Sequence, residues 1–274
     1  MCYLPGVIPY RQRRLEPLVQ RLGRLRALLR GGLAKRQAVH LVEIGGLRAK
    51  RVSFAHASQA AAVERALEAL RGRGVAPEPL ARYGGELWVE FVEGAALGRD
   101  GPAPVGELGR LFRTLYRVGA AVLAREDRDF ARDVVRDLDL LRRVGVIDAE
   151  THARLERHAE SSCPTRAWTG CDYVDARPRN FLRGADGRLV VIDVESLVAG
   201  ELLGTGAARA WLRWPGVGRE ALLAELSAPD LPRVADYADF LELRFAARWT
   251  KRCLLQRKLS LVDPELLRRL AARG

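Results

Sequence analysis

Residues 173–195 of the chain read YVDARPRNFLRGADGRLVVIDVE. The dipeptide Asp186-Gly187 within it is a strong signal for a tight hairpin turn, because glycine adopts the backbone angles that such a turn requires. This dipeptide separates Phe181-Leu182 from the apolar run 189–192. The stretch therefore predicts a short hairpin of two strands with a polar residue at each of its open ends.

Three side chains that carry oxygen stand at the open end of this predicted hairpin. Asn180 precedes the first strand, Asp193 follows the second, and Asp175 lies five residues before Asn180. Such oxygens suit Mg²⁺, which takes few protein ligands and completes its shell with water and phosphate. A carboxylate that is not a ligand can accept the proton of an attacking hydroxyl. The spacing therefore predicts a site for metal and phosphate, and an ordinary loop with a turn-stabilising Asp and Asn is the alternative.

The same residues resemble the protein-kinase-like superfamily, whose catalytic loop reads H-x-D-x-x-x-x-N and is followed by a hairpin and a metal-binding aspartate. Residues 173–175 with Asn180 have that spacing. Residues 192–195 have the D-x-E form of small-molecule and sugar kinases, such as aminoglycoside, choline and lipopolysaccharide-core kinases. The resemblance implies that Asp175 is the catalytic base, that Asn180 is a metal ligand and that Asp193 is the main Mg²⁺ ligand.

Two features depart from the superfamily pattern. Tyr173 occupies the position of the loop-organising histidine, and no G-x-G-x-x-G segment precedes the first predicted strands. Gly31-Gly32 and Gly45-Gly46 are the candidates for a loop that covers phosphate, although the second pair fits a hairpin turn better. A pseudokinase that binds nucleotide poorly therefore stays an alternative to an active kinase.

The whole chain fits an α+β fold of two lobes, with a nucleotide-binding lobe at 1–95 and a mainly helical lobe at 96–274. The second lobe contains the catalytic loop 173–182 and the metal-binding segment 192–195. The pattern predicts strands at 38–44, 47–54 and 86–92 and a helix at 57–71 in the first lobe. In the second lobe it predicts helices at about 105–125, 128–143 and 148–160, strands within 166–193 and mainly helix thereafter.

Four residues of the first lobe are the predicted contacts to nucleotide. Lys50 lies on the second predicted strand and is one of only four lysines among 46 basic residues. The resemblance implies that Lys50 contacts phosphate and pairs with a glutamate of the next helix, with Glu64 as first candidate and Glu68 as alternative. It also implies that backbone groups from Glu90 to Val92 face the adenine, which makes ATP the expected phosphoryl donor.

The bulk composition restricts the class of protein. The chain has 274 residues, of which 48% are hydrophobic, a proportion typical of a globular protein. No apolar run reaches the length of about 20 residues that a membrane-spanning helix needs, and the first residues lack the features of a secretory signal. The four cysteines have no C-x-x-C spacing, so neither a zinc site nor a disulfide framework is indicated. We therefore expect a cytoplasmic protein.

The net charge of +12 favours an anionic partner, which could be a nucleotide, an anionic lipid or saccharide surface, or nucleic acid. Residues 11–30 predict a basic amphipathic helix, which either packs on its own domain or lies peripherally on an anionic face such as the inner membrane. Arg177 and Arg179 flank Asp175 and either face an anionic acceptor or are solvated.

The sequence thus predicts an ATP- and Mg²⁺-dependent phosphotransferase acting on a hydroxyl of a sugar, a glycolipid of the lipopolysaccharide-core type or another small molecule. A kinase-fold binding protein without activity is the first alternative. A basic nucleic-acid-binding protein is the second, although no recognition motif supports it. Trp211, Trp214 and Trp249 either belong to the core or stack on a sugar or a base.

Overall fold

The computed structural model describes residues 38–44, 47–97, 104–124, 129–184, 186–231 and 233–273. The chain divides into two compact units. Of the described residues, the first unit comprises those up to Arg71 together with Pro77–Val92, and the second comprises Gly72–Ala76 together with those from Glu93 onward. The predicted basic helix at 11–30 and both glycine pairs lie outside the described residues.

The first unit is an antiparallel sheet with one helix. Its strands are β1 (Ala38–Ile44), β2 (Leu47–Ser53), β3 (Pro79–Tyr83) and β4 (Glu86–Glu90), arranged in the order β1-β2-β4-β3. Helix α1 (Ala57–Ala69) contacts β3 and β4. Val52, Leu87 and Val89 of the sheet and Val63 and Leu67 of the helix are almost fully buried. The sheet and one face of the helix therefore share a small apolar core.

The second unit is mainly helical within the described residues. Its helices are α2 (Val105–Tyr116), α3 (Phe130–Arg143), α4 (Ala149–Ser162), α5 (Thr205–Arg213), α6 (Arg219–Leu226), α7 (Ala238–Leu255) and α8 (Pro264–Ala271). Helix α7 contacts α3, α4, α5 and α8, and most of its residues are buried. No helix in the described part of the chain is long and apolar enough to span a bilayer.

Two small antiparallel sheets complete the second unit. The first has the order β10-β7-β6 and consists of β6 (Ala121–Ala124), β7 (Arg166–Tyr173) and β10 (Leu197–Leu202). The second has the order β5-β8-β9 and consists of β5 (Ala95–Ala96), β8 (Phe181–Arg183) and β9 (Leu189–Val191). Gly187 in the β8–β9 turn has φ +77°, a conformation that glycine adopts without strain, so the predicted hairpin is confirmed.

Three local predictions are wrong, and in two of them pairing with a strand distant in sequence outweighs the local pattern. The predicted helix at about 105–125 ends at Tyr116, and after Gly119 (φ +64°) the chain forms β6 along β7. Segment 79–83 pairs with β4 and segment 197–202 with β7, yet neither was predicted as a strand. The α+β class with a sheet-rich first part and a helical second part is confirmed.

Candidate active site

The loop after β7 fixes Asp175 beside Asn180. Pro178–Asn180 form a single turn of 3₁₀ helix, and Asn180 is only 7% exposed. The side-chain nitrogen of Asn180 donates to the main-chain oxygen of Asp175 at 2.8 Å and to its carboxylate Oδ2 at 3.2 Å. The predicted spacing of these two residues therefore places their side chains in direct contact.

The hairpin brings Asp193 to the same end. The backbone N–H of Ile192 donates to the main-chain oxygen of Asn180 at 3.0 Å, so the residue after Ile192 emerges next to Asn180. Carboxylate Oδ2 of Asp193 accepts a hydrogen bond from the hydroxyl of Ser196 at 3.2 Å. The structure thus groups the three predicted residues Asp175, Asn180 and Asp193, and their roles as base and metal ligands stay predictions.

Tyr173, at the position where the resemblance implies a histidine, is fully buried next to this group. Its ring packs edge-on against Phe181 with centroids 5.4 Å apart, and its hydroxyl lies 3.5 Å from the main-chain oxygen of Asn180. Burial raises the pKa of Tyr173 well above its ordinary value, and the negative charges of Asp193 and Asp175 raise it further. Tyr173 is therefore an uncharged core residue that packs against the loop 175–180 and stabilises it.

Two arginines hold the carboxylate of Asp175. Arg177 Nε donates to Oδ1 at 2.8 Å, and Arg209 Nη2 lies 2.7 Å from the same oxygen. Arg177 is thus bound to Asp175 rather than fully solvated. Arg209 was not predicted as a site residue. The feature of the sequence that could have indicated it is its i, i+4 spacing from Arg213 on α5, which places two guanidinium groups on one helix face.

Arg209 lies in a strongly positive environment. Its side chain is 6% exposed, and burial lowers its pKa to about 10, an effect that Asp175 opposes and that the charges of Arg177, Arg252 and Arg213 increase. These arginines therefore contribute positive potential around Asp175, and only Arg177 of them lies within the loop 173–182.

The ring of Trp249 on α7 packs against Arg177, Arg209 and Arg213, which we call the arginine cluster. The guanidinium carbons of Arg209, Arg177 and Arg213 lie 4.7, 5.5 and 5.8 Å from its ring centroid. Such contacts contribute about 0.5–2 kcal/mol each, depending on solvent exposure. Trp211 and Trp214 are buried, which confirms the prediction that they belong to the core.

Asp172 ties β7 to the helix that carries Arg209. The side chain is fully buried, and its oxygens accept hydrogen bonds from the backbone N–H of Tyr173 at 2.7 Å and of Gly206 at 3.1 Å. Burial raises the pKa of Asp172 to about 7, although both backbone hydrogen bonds oppose the rise. Because Gly206 is the second residue of α5, this contact fixes the first turn of the helix three residues before Arg209.

The donor set at this end of the hairpin fits Mg²⁺. The nitrogen of the Asn180 amide faces Asp175, which leaves the amide oxygen for a cation, and Asp193 offers a carboxylate. Hard oxygen donors of this kind, few in number, are those that Mg²⁺ accepts while it keeps water and phosphate oxygens. Among the described residues, no group of three or more His, Cys, Asp and Glu side chains could hold a metal.

The predicted nucleotide contacts of the first unit lie on its sheet and helix. Lys50 is half-buried on β2, where it stands opposite Leu41 and Val89. Glu64 lies on α1, and its carboxylate is 2.6 Å from Arg82 Nε. The partner of Glu64 in the structure is thus an arginine, and its predicted pairing with Lys50 stays a prediction.

The predicted adenine-facing segment follows β4. The backbone N–H of Glu90 donates to the main-chain oxygen of Glu78 at 2.9 Å, which extends the pairing of β3 with β4. The strand ends at Glu90, and Val92 is the last residue of the first unit. Contacts of Glu90 and Val92 with a base stay predictions.

The sheet-and-helix unit, the helical unit and the loop–hairpin arrangement together define a protein-kinase-like fold of the kind found in small-molecule kinases. Macrolide 2'-phosphotransferase type I is similar over 98% of this chain and 98% of its own, with a TM-score of 0.58 and 16% identity. Choline kinase LicA from Streptococcus pneumoniae is similar over 94% of this chain and 98% of its own, with a TM-score of 0.60 and 12% identity.

A third similar structure is a thermostable mutant of aminoglycoside phosphotransferase APH(4)-Ia in a complex with ADP and hygromycin B. It covers 88% of this chain and 91% of its own, with a TM-score of 0.60 and 13% identity. No protein-family model matches the sequence, and no curated protein matches it either. At such low identities the similarity establishes the fold, and activity has to be argued from the site.

Proposed function

We propose that the chain transfers the γ-phosphoryl group of ATP to a hydroxyl of a small molecule, with a sugar or a glycolipid as the favoured acceptor. The observation that carries this proposal is the grouping of Asp175, Asn180 and Asp193 at the open end of the β8–β9 hairpin. The protein-kinase-like fold adds support, because the similar structures include an aminoglycoside phosphotransferase solved with ADP and hygromycin B.

Asp175 takes the proton in the proposed reaction. The acceptor oxygen forms a bond to the γ-phosphorus while the bond from that phosphorus to the bridging oxygen breaks, and ADP leaves with the electron pair. Arg177 and Arg209 hold Oδ1 of Asp175, so Oδ2, whose one hydrogen bond within the described residues comes from the Asn180 amide, is the oxygen that we assign to the hydroxyl. Mg²⁺ held by Asn180 and Asp193 would neutralise phosphate charge.

Binding of nucleotide tests the metal site. Mg²⁺–ATP at about 100 times its Kd should raise the melting temperature by roughly 5–10 °C, and Asp193→Asn should remove that rise. Asp186→Asn is the matched control, because it makes the same chemical change in the turn of the same hairpin and keeps an Asn-Gly turn sequence. No rise in wild type, or an equal rise in Asp193→Asn, would contradict the metal assignment.

Turnover tests the base. Asp175→Asn keeps the shape of the side chain but cannot take a proton, so ATP-dependent phosphorylation of the acceptor should fall by about 100-fold or more. The melting-temperature rise with Mg²⁺–ATP should persist in this variant. Unchanged turnover would contradict the assignment of Asp175.

A kinase-fold binding protein without activity is the second candidate. It is favoured by the occupancy of both Asp175 oxygens: Oδ1 accepts a hydrogen bond from Arg177 and forms an ion pair with Arg209, and Oδ2 accepts from the Asn180 amide. In that case Mg²⁺–ATP binds but no acceptor is phosphorylated, whereas the proposed enzyme must displace or share the Asn180 contact at Oδ2. Peripheral membrane contact stays a prediction, since residues 11–30 lie outside the described residues, and binding of nucleic acid stays an untested alternative.

A further inference from the structure

A cavity of about 340 Å³ lies in the second unit between α3 and α7. Its charged lining consists of two carboxylates and four cations, namely Asp133, Asp137, Arg136, Arg248, Lys251 and Arg252. Asp133 pairs with Arg136 at 2.9 Å, and Asp137 pairs with Lys251. Both carboxylates are therefore already neutralised, and the cavity has an excess of two positive charges.

The excess charge resides on Arg248 and Arg252. Arg248 is 50% exposed and lies 4.0 Å from Glu201, whose carboxylate is bound more closely by Arg244 at 2.6 Å. Arg252 is exposed and forms no ion pair with any carboxylate in the part of the chain that the structure describes. These two guanidinium groups are one helical turn apart on α7, so both can reach one small ligand.

The cavity adjoins the Asp175 site. Arg252 lies close enough to Arg209 for its charge to lower the pKa of that residue, and Arg209 is bound to Asp175 at 2.7 Å. Trp249, between Arg248 and Arg252 in sequence, contacts Arg209 through its ring. Arg252 of the cavity lining and Arg209, which binds Asp175, are thus near enough for their charges to interact.

We propose that the cavity binds an oxyanion of the acceptor, a phosphate or a carboxylate, so that the hydroxyl to be phosphorylated belongs to an anionic molecule such as a sugar phosphate or a sugar acid. This inference rests on the proposed function, because it names the class of acceptor for the same site. A guanidinium group donates two parallel hydrogen bonds to an oxyanion. A cationic acceptor, by contrast, would be repelled by the same charges.

Calorimetric titration of four probes tests the inference: glucose 6-phosphate, gluconate, glucose and choline, each in the presence of Mg²⁺ and AMP-PNP. Wild type should bind one of the two anions at least about 10-fold more tightly than glucose or choline, because a charged partner strengthens a hydrogen bond. The better of glucose 6-phosphate and gluconate identifies the oxyanion as phosphate or carboxylate. Added salt should weaken that binding.

Two variants locate the binding. Arg252→Ser should weaken binding of the preferred anion by about 10-fold or more, since one charge-assisted contact is lost. Arg143→Ser is the matched control, because Arg143 is an exposed arginine on α3 that does not line the cavity, and it should bind the anion as wild type does. If Arg252→Ser melts at a much lower temperature than wild type, the same titration is repeated with Arg248→Ser.

The outcomes separate the inference from the proposed function. Equal binding of glucose or choline, no binding of either anion, or unchanged anion affinity in both Arg252→Ser and Arg248→Ser overturns the inference. Binding of AMP-PNP with Mg²⁺ is titrated separately on the same samples. If the nucleotide binds in an Asp193-dependent manner while the anions fail, the anionic acceptor is wrong and the kinase proposal stands. If the nucleotide fails while the anion binds through Arg252, the kinase proposal is wrong, and the cavity is an oxyanion-binding site but not an acceptor site.

Discussion

Gly206→Ala should destabilise the second unit strongly. Gly206 is the second residue of α5, and a methyl group there would overlap the main-chain oxygen of Tyr173. It would also lie 2.8 Å from Asp172 Oδ1 and 2.9 Å from the main-chain carbon of Tyr173, whereas ordinary contacts begin at 3.4 Å. Because backbone atoms of a buried strand cannot turn away as a side chain can, the start of α5 has to move.

The magnitude has two contributions. Overpacking a well-packed interior lowers the free energy of unfolding by about 1–3 kcal/mol. Movement of α5 also stretches the hydrogen bond from Gly206 to the buried Asp172 carboxyl, now 3.1 Å, and an unsatisfied buried group costs about 1–3 kcal/mol. We expect a total loss of about 2–6 kcal/mol, which corresponds to a fall in melting temperature of roughly 4–20 °C for a chain of this size.

Gly106→Ala is the matched control. Gly106 is the second residue of α2, and a methyl group there meets only the Glu225 side chain at 3.8 Å, an ordinary contact. Since alanine favours the helix over glycine by up to about 1 kcal/mol, this variant should be as stable as wild type or slightly more stable. Thermal and urea unfolding of both variants provide the comparison. Equal stability of Gly206→Ala and Gly106→Ala would refute the reasoning.

Other changes test the core and its charges. Glu201→Gln should lower the free energy of unfolding by about 3 kcal/mol near neutral pH, because it leaves the buried Arg244 without its carboxylate partner. Burial alone would raise the pKa of Glu201, but Arg244 lowers it overall, so the ion pair stabilises fully above about pH 4.5 and less as the pH falls through the lower, folded-state pKa. The difference in free energy of unfolding between wild type and Glu201→Gln, measured with urea, should therefore shrink below that pH. A difference that stays constant with pH would contradict the ion pair. The control is Glu220→Gln, whose side chain is 89% exposed and whose free energy of unfolding should stay close to that of wild type at any pH. Tyr173→Phe should lose only about 1–2 kcal/mol, since the hydroxyl makes a contact of 3.5 Å with the main-chain oxygen of Asn180 and a hydrogen bond with the backbone of Asp193, whereas Tyr173→Ala should lose about 3–5 kcal/mol through the cavity it leaves. A large loss in Tyr173→Phe would show that the hydroxyl, not the ring, supports the loop.

The local signals of the hairpin could be interpreted without a structure. Asp186-Gly187 fixes a tight turn through backbone conformation alone, and the strands on each side must then pair. For this reason the sequence alone determined that Asn180 and Asp193 share one end of the hairpin. It also determined the α+β class, because helical and strand periodicities differ over long segments.

Tertiary structure decided the features that depend on residues distant in sequence. The strand at 121–124 exists because it pairs with β7, and its own composition would also suit a helix. Arg209 reaches Asp175 because Asp172 and Gly206 fix the start of α5 against the end of β7, a contact across 34 residues of sequence. The positive cavity near Arg252 likewise requires α3 and α7 to pack together. Local conformation depends on neighbouring residues, whereas the charge that surrounds a site depends on packing between elements that are far apart in the chain.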